Sequence, residues 1–244
     1  MKALALDTTT REGSVALVED DRIVAERIGD GSRTHALRLP GELLELAGAH
    51  QLAVADVDLF GVASGPGSFT GLRIGIATIQ GLAFVHGRKV VGVPALEALA
   101  HLGSLGAVPD TLVAAWMDGH RREVFAALYR VTAAAPFSLD RIVEVEGATV
   151  GEPASTLARW SGTISGAPVV FVGDGAVLYR DLIVAAQPKA RVLAPPLLAG
   201  AIGRLAVARA RQGESVDPVR LHPLYVRRPD AELARDGAHR GEGM

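Results

Sequence analysis

"SGPGSFTGLRIG", Ser64 to Gly75, places Gly65, Pro66, Gly67, Gly71 and Gly75 between an apolar run, "VDLFGVAS", and a helix-like stretch from Gly71 to His86. A turn of this composition ahead of a helix either offers backbone N–H groups to an anion or is a tight connection whose dihedrals need Gly and Pro. The phosphate-loop reading is incomplete. Thr70-Gly71-Leu72-Arg73 stands where a Walker loop has Lys followed by Ser or Thr, and the G-x-G-x-x-G spacing is absent. Shape alone favours the tight connection. In the helix that follows, Leu72, Ile74, Ile76, Ile79, Leu82, Phe84 and Val85 cover most of the circumference, which predicts burial on nearly all sides. Gly71, Gly75 and Thr78 form a smooth strip that lets another helix approach closely, either from the same chain or from a partner.

Working outward, "KALALDTT", "GSVALVED" and "RIVAERIG" read as short strands, the first two forming a hairpin. Thr34 is placed to cap a helix through Leu46, with Leu37, Leu43, Leu44 and Leu46 on one side and Pro40 near the first turn or kinking it. "VDLFGVAS" is a buried strand, and "KVVGVPA" is a further strand leading into the helix "ALEALAHL". The second half repeats the order. "DTLVAAWMD", "EVFAALYRV" and "SLDRIVEVE" read as strands, followed by a helix near Pro153 to Trp160 and the strand "PVVFVGDG". A helix near Ala176 to Ala186 and a long one near Leu197 to Arg211 complete it. The expected class is α/β, with two related units each built from a mixed sheet and crossover helices. The division falls in the turn-rich stretch between Val93 and Asp110, giving units 1–100 and 101–232, with the last helix packing back on the first unit. Residues 233–244 form a polar tail expected to fray.

The 244 residues, 49% of them hydrophobic, suffice for one large or two small cores. Lys plus Arg number 25 against 27 Asp plus Glu, so the chain lacks the basic excess that non-specific nucleic-acid binding uses. Cysteine is absent, which excludes disulfides and thiolate chemistry. Asp7 interrupts the N-terminal apolar run and no long apolar stretch occurs elsewhere, so a cytoplasmic location is expected. The histidines include no i, i+4 pair and no H-E-x-x-H, so no metal site is expected, and no G-x-S-x-G elbow supports hydrolysis. Asp7 and Asp118 end the first strand of each half, and Gly173, Asp174 and Gly175 lie in the turn "VGDGA". Carboxylates so placed either close Asx turns or sit where duplicated nucleotide-binding folds hold metal-water and phosphate. Arg121 with Arg122, and Arg227 with Arg228, read as solvated surface.

Together "LALDTT", "GVASGPGSFTGLRIG", "VVGVPALEALA", "MDGHRREVFAALY", "VGDGA" and "PLYVRRPDAE" resemble the TsaB family of bacterial tRNA threonylcarbamoyladenosine subunits, over nearly the whole chain to about Glu232. The resemblance implies the duplicated actin-like ATPase (ribonuclease-H-like) fold shared with sugar kinases and heat-shock chaperones. It implies a non-catalytic scaffold without cofactor, docked on a larger metal-containing paralogue that transfers threonylcarbamoyl to the adenosine beside the anticodon of tRNAs reading codons that start with A. A small P-loop ATPase joins that assembly, a homodimer is one option open to the chain when alone, and tRNA is met mainly through the complex. On this reading His35, Leu39, Gly71, Arg73, Gly75, Ile76, Thr78, Ile79 and Ala83 form the partner interface. Asp7, Thr8, Thr9, Asp118, Gly173, Asp174 and Gly175 are then a vestigial nucleotide site. The sequence departs from nucleotide-binding relatives in carrying Thr9 where a phosphate loop usually has glycine, and His120 departs from the commoner family turn. The alternative is an independent ATP-binding phosphotransferase or ATPase of the same fold. A metallopeptidase reading is disfavoured by the histidine spacing.

Overall fold

The computed structural model describes residues 1–227; the expected tail, 233–244, and Arg228 lie outside the described residues. The first unit runs β1 (Lys2–Asp7), β2 (Ser14–Glu19), β3 (Arg22–Ile28), α1 (His35–Ala49), β4 (Leu59–Gly65), α2 (Phe69–Val85), β5 (Lys89–Pro94) and α3 (Ala95–Gly103). Its five-stranded sheet has the order β3-β2-β1-β4-β5, with β1, β2 and β3 antiparallel and β1, β4 and β5 parallel. The second unit runs β6 (Leu112–Asp118), β7 (Val124–Val131), β8 (Ile142–Gly151), α4 (Pro153–Ile164), β9 (Val169–Val172), α5 (Asp174–Leu178), α6 (Arg180–Ala186), β10 (Arg191–Leu193) and α7 (Ala199–Arg211). Its order, β10-β9-β6-β7-β8, is that of the first sheet read from the opposite edge, with the same antiparallel start and parallel finish. The repeat expected from element order is therefore present strand for strand.

Period-two alternation assigns the two faces of the first sheet. Leu4, Leu6, Phe60 and Val62 face α1 and α2, while Ala3, Ala5, Leu59 and Ala63 face inward toward α3 and α7. Small residues on that inner face let α7 lie close: a Cβ at Gly203 would meet the Val18 side chain at 2.5 Å, and one at Gly61 would meet Ala206 at 3.0 Å. The first unit also caps α7, because Ser14 Oγ accepts from Ala199 N–H at 3.0 Å and Glu26 from Gly200 N–H at 2.6 Å. The same apolar core continues into Val113, Ala115 and Met117 of β6. The opposite face of the second sheet buries Trp116 and Phe171, their rings edge to face at 5.4 Å, with Trp160 of α4. The layers thus run α1 and α2, first sheet, α3 and α7, second sheet, α4 to α6.

Several boundaries differ from expectation. The glycine-rich helix begins at Phe69, because Ser68 rather than a later residue caps it, its Oγ accepting from Gly71 N–H at 3.2 Å. β8 starts only at Ile142, since Leu139–Arg141 make a 3-10 turn. The helix expected over 176–186 is two short helices broken at Tyr179, and the three-residue β10 after them was not anticipated. Leu37 and Leu44 of α1 do not join Leu43 and Leu46 in the core but point outward, 69% and 53% exposed. Thr34 occupies the N-cap position without a side-chain capping bond. A division after residue 100 would cut α3, whose far end is stitched to the second unit. The buried Arg141 guanidinium donates there to the carbonyls of Ser104, Ala107, Thr132 and Ala134 at 2.8–3.0 Å.

Candidate functional site

The glycine strip of α2 faces the inside of its own chain. A Cβ at Gly71 would collide with the Thr8 carbonyl oxygen, and one at Gly75 with Thr8 Oγ1 and, at 3.0 Å, with Leu6. The strip exists so that α2 can lie on the end of β1 and the turn after it. Ile76, Ile79 and Ala83 descend into the core beside Leu39 of α1, each at most 4% exposed. Four expected interface residues beyond the glycines lie in the chain's own core, and a fifth, His35, is half-buried. Leu39, Ile76, Ile79 and Ala83 are core, because the sheet itself needs their side of the helices. His35 is held inward, its Nε2 3.1 Å from the Thr10 carbonyl and its Nδ1 2.8 Å from the Arg38 guanidinium. Burial, followed by the Arg38 charge, holds the His35 pKa below its usual value. Thr78 is half-buried and donates its hydroxyl to the Ile74 carbonyl.

α2 is also not covered on all sides. Arg73, Ala77, Gly81, Phe84 and Val85 are exposed and recur at helical spacing along its outer face. Phe84 is 75% exposed and Val85 76%. α1 packs beside α2, and its outward Leu37 and Leu44, with exposed Pro40, Gly41 and Gly48 between and beyond them, belong to the same outer layer. Two neighbouring helices therefore present large apolar side chains separated by small ones, a composition that fits helix docking rather than a solvated face. The signal was in the sequence, since α2 has more apolar positions than one sheet can cover. Which positions were surplus depended on register against Thr8.

The second feature is a cleft of about 490 Å³ where the two sheets' strand ends meet. Its walls include Thr9 to Glu12 after β1, Gly31 to His35 before α1, Ser68 and Thr70 at the start of α2, and Met117, Asp118, His120 and Asp174 from the second unit. The structure thus brings Asp118 and Asp174 to one wall, where Asp174 Oδ1 accepts from the N–H groups of Asp118 and Gly175. Asp7 lies behind the opposite wall, 3% exposed, and its Oδ1 accepts from Thr9 N–H at 2.9 Å. Burial first, and then the Asp174 charge, raises the Asp7 pKa. Thr8 and Thr9 are buried as well, and Thr9 packs so closely on the glycine-rich loop that a Cβ on Gly67 would sit 2.6 Å from its own. Gly173 and Gly175 allow the start of α5 to touch the backbone of Trp116 and Met117, so their small size serves packing. Among the described residues no group of three or more His, Cys, Asp or Glu is disposed to hold a metal ion.

Sequence reasoning missed the strap formed by the segment after α7. Gln80 of α2 donates to the carbonyls of Pro218 and Leu221, and Leu224 N–H donates to the Ser64 carbonyl at 2.7 Å. Tyr225 packs its ring 5.1 Å from that of Phe69 and accepts from Arg73 Nε at 2.9 Å. Arg227 then reaches the second unit, donating to the Gly119 carbonyl at 2.7 Å and pairing with Glu123. Arg227 is accordingly a bridge between units rather than a solvated cation.

Two copies of one mixed sheet, with helices on every face and a cleft between the strand ends, define the duplicated actin-like fold. The sequence matches, over residues 27–234, the family described as "TsaD: tRNA N6-adenosine threonylcarbamoyltransferase". It is similar to the Bacillus subtilis tRNA threonylcarbamoyladenosine biosynthesis protein TsaB, 28% identical over 75% of each chain. An uncharacterized Mycobacterium leprae protein is 32% identical over 94% of this chain, which spans only 55% of that relative's length. The solved structure of YeaZ from Pseudomonas aeruginosa superposes with a TM-score of 0.73 at 29% identity, covering 92% of this chain and 99% of that one. The chain belongs to this family, and its similarity to a TsaB protein extends over three quarters of its length. No helix among the described residues is long and apolar enough to cross a membrane.

Proposed function

We propose that this chain is a non-catalytic subunit of the cytoplasmic machinery that transfers threonylcarbamoyl to the adenosine beside the anticodon of tRNAs reading codons that start with A. It docks through the outer face of α1 and α2 on a larger catalytic chain of the same fold, and a small P-loop ATPase joins the pair. The observation that carries the reading is the uncovered apolar layer, in which Leu37, Leu44, Phe84 and Val85 are all more than half exposed. In the absence of the partner, a second copy covers the same face, because an isologous pairing of α1 and α2 buries the same side chains. The cleft supports the non-catalytic part, since Asp7, the carboxylate that ends β1, is buried behind the cleft and engaged with its own turn.

The test is binding of the purified chain to its catalytic paralogue by calorimetry, with Phe84→Glu and, as control, Leu178→Glu on the outer layer of the second unit. Leu178 is 60% exposed, so both substitutions should leave the free fold intact. Phe84→Glu replaces an apolar contact worth about 1.5–3 kcal/mol by a carboxylate, and affinity should fall by at least about tenfold. Leu178→Glu should have no effect. A folded Phe84→Glu chain that binds like wild type refutes docking on this face.

A further inference from the structure

Arg73 is the only charged residue of α2, and that helix carries no acidic side chain. Its guanidinium lies 3.9 Å from the centroid of the Phe69 ring and 5.9 Å from that of Tyr225, with Nε committed to the Tyr225 hydroxyl at 2.9 Å. Among the described residues no acidic side chain pairs with it. The usual reason to immobilise an exposed arginine, a carboxylate in the same chain, is therefore missing among the described residues. The ring contacts instead hold the side chain in one direction, and no described residue hydrogen-bonds its terminal nitrogens. Arg73 also begins the exposed row that continues through Ala77 and Gly81 to Phe84 and Val85.

Resting on the docking reading above, we infer that Arg73 is the polar anchor of this face and receives a carboxylate from the catalytic partner chain. A guanidinium offers two parallel donors matched to a carboxylate, and one already ordered by ring stacking loses little rotamer entropy on binding. The rest of the row decides the class of partner. Beyond Arg73 it is apolar or small, with no second cation on α2 to follow a phosphate backbone, so it fits a protein surface with one acidic side chain opposite Arg73 rather than a nucleic acid. A second copy of this chain is the poorer match. α2 has no carboxylate to offer, and on α1 Glu42 is already paired with Arg38, which leaves Glu45 alone. Tyr225 is a positioning residue: it fixes Arg73 and belongs to the strap that also reaches the β6–β7 turn through Arg227.

The experiment measures affinity of the full chain for the catalytic paralogue at two salt concentrations, with Arg73→Met, Arg73→Lys, Tyr225→Phe and Phe84→Glu. Arg73→Met should weaken binding by about 10–100-fold and flatten its salt dependence. Arg73→Lys, which keeps the charge without the fork, should fall between. Tyr225→Phe, which keeps the ring and loses the hydroxyl acceptor, should weaken binding less than Arg73→Met and leave the salt dependence in place. If Phe84→Glu abolishes binding while the Arg73 variants match wild type, the anchor is refuted and the docking face stands. If all variants bind like wild type, the docking face itself is refuted. Arg73→Met that lowers affinity for labelled tRNA but not for the paralogue assigns the site to phosphate and overturns the inference. So does a loss of self-association in both Arg73→Met and Glu45→Gln, which would make the carboxylate the chain's own.

Discussion

His101 of α3 is 0% exposed, lies stacked 5.8 Å from Phe137, and has no hydrogen-bond partner on either ring nitrogen. Burial, with the charges of Arg209, Arg141 and Arg204 adding, lowers its pKa from 6.5 to about 4. In the unfolded chain the imidazole returns to the ordinary value, so between those two pH values the unfolded state holds more protons than the folded one. Stability is thus complete above the unfolded pKa, falls as the medium is acidified, and stops falling near the folded pKa, where the native imidazole is itself protonated. The slope within the window is about 1.4 kcal/mol per pH unit, and the drop between about pH 7.5 and pH 5 is about 2 kcal/mol. The perturbation is His101→Phe, which keeps a ring against Phe137 and removes the titration. Urea unfolding of both chains across that range isolates the effect, because each chain is referred to its own value at the higher pH and packing differences cancel. Carboxylates such as Glu97, raised by burial beside Arg209, titrate in both chains and cancel too. The wild-type chain should lose about 2 kcal/mol more than the variant. Equal pH dependence in the two would refute a neutral, unpaired imidazole in the shared core.

Gly75→Ala should destabilise the chain despite the better helix propensity of alanine. The new methyl meets Thr8 and Leu6 inside a packed contact, a penalty of about 1–3 kcal/mol set against a propensity gain of about 1. Thr8→Ala in the same chain should recover part of that loss, and thermal melts of the single and double variants give the coupling directly. Titration of the free chain with magnesium-ATP should produce no saturable heat, since Asp7 is inaccessible and Thr9 fills the space beneath the glycine-rich loop. A dissociation constant in the micromolar range, about −8 kcal/mol, would return the independent ATPase reading to first place.

The sheets were legible because strand alternation is a local signal. "KALALD" already separates Leu4 and Leu6 from Ala3 and Ala5, and the two faces it defines are those of the fold. Element order alone revealed the duplication, since the hairpin start and crossover finish need no long-range information. The site was harder to read. An over-apolar α2 announced a surface to be covered, but whether Gly71, Gly75 and Ile76 or Ala77, Gly81 and Phe84 faced outward rested on a contact with Thr8, more than sixty residues away in sequence. Apolarity drew attention to the helix without showing which of its faces is exposed. The Tyr225 strap left no periodic signature at all, because an irregular segment held by side-chain bonds to Gln80, Arg73 and Glu123 has no pattern of its own.

The glycine-rich loop ahead of α2 commits part of its hydrogen-bonding capacity to its own fold. Helix N-termini attract phosphate because their first N–H groups lack partners. Here Ser68 Oγ takes the Gly71 N–H, and Ser68 N–H itself donates to the Thr9 carbonyl at 3.0 Å. Thr9 in turn occupies the space under Gly67, and its N–H donates to the buried Asp7. The glycines are consumed in letting α2 sit on Thr8, and the same contact sets the helix rotation that turns Arg73, Ala77, Gly81 and Phe84 outward. One close approach therefore accounts for both the burial of the glycine strip and the exposure of the apolar row. Enlarging Gly75 should disturb partner binding and stability together, whereas Phe84→Glu should touch binding alone. That separation between a residue that orients the face and one that forms it is open to direct measurement on the same pair of variants.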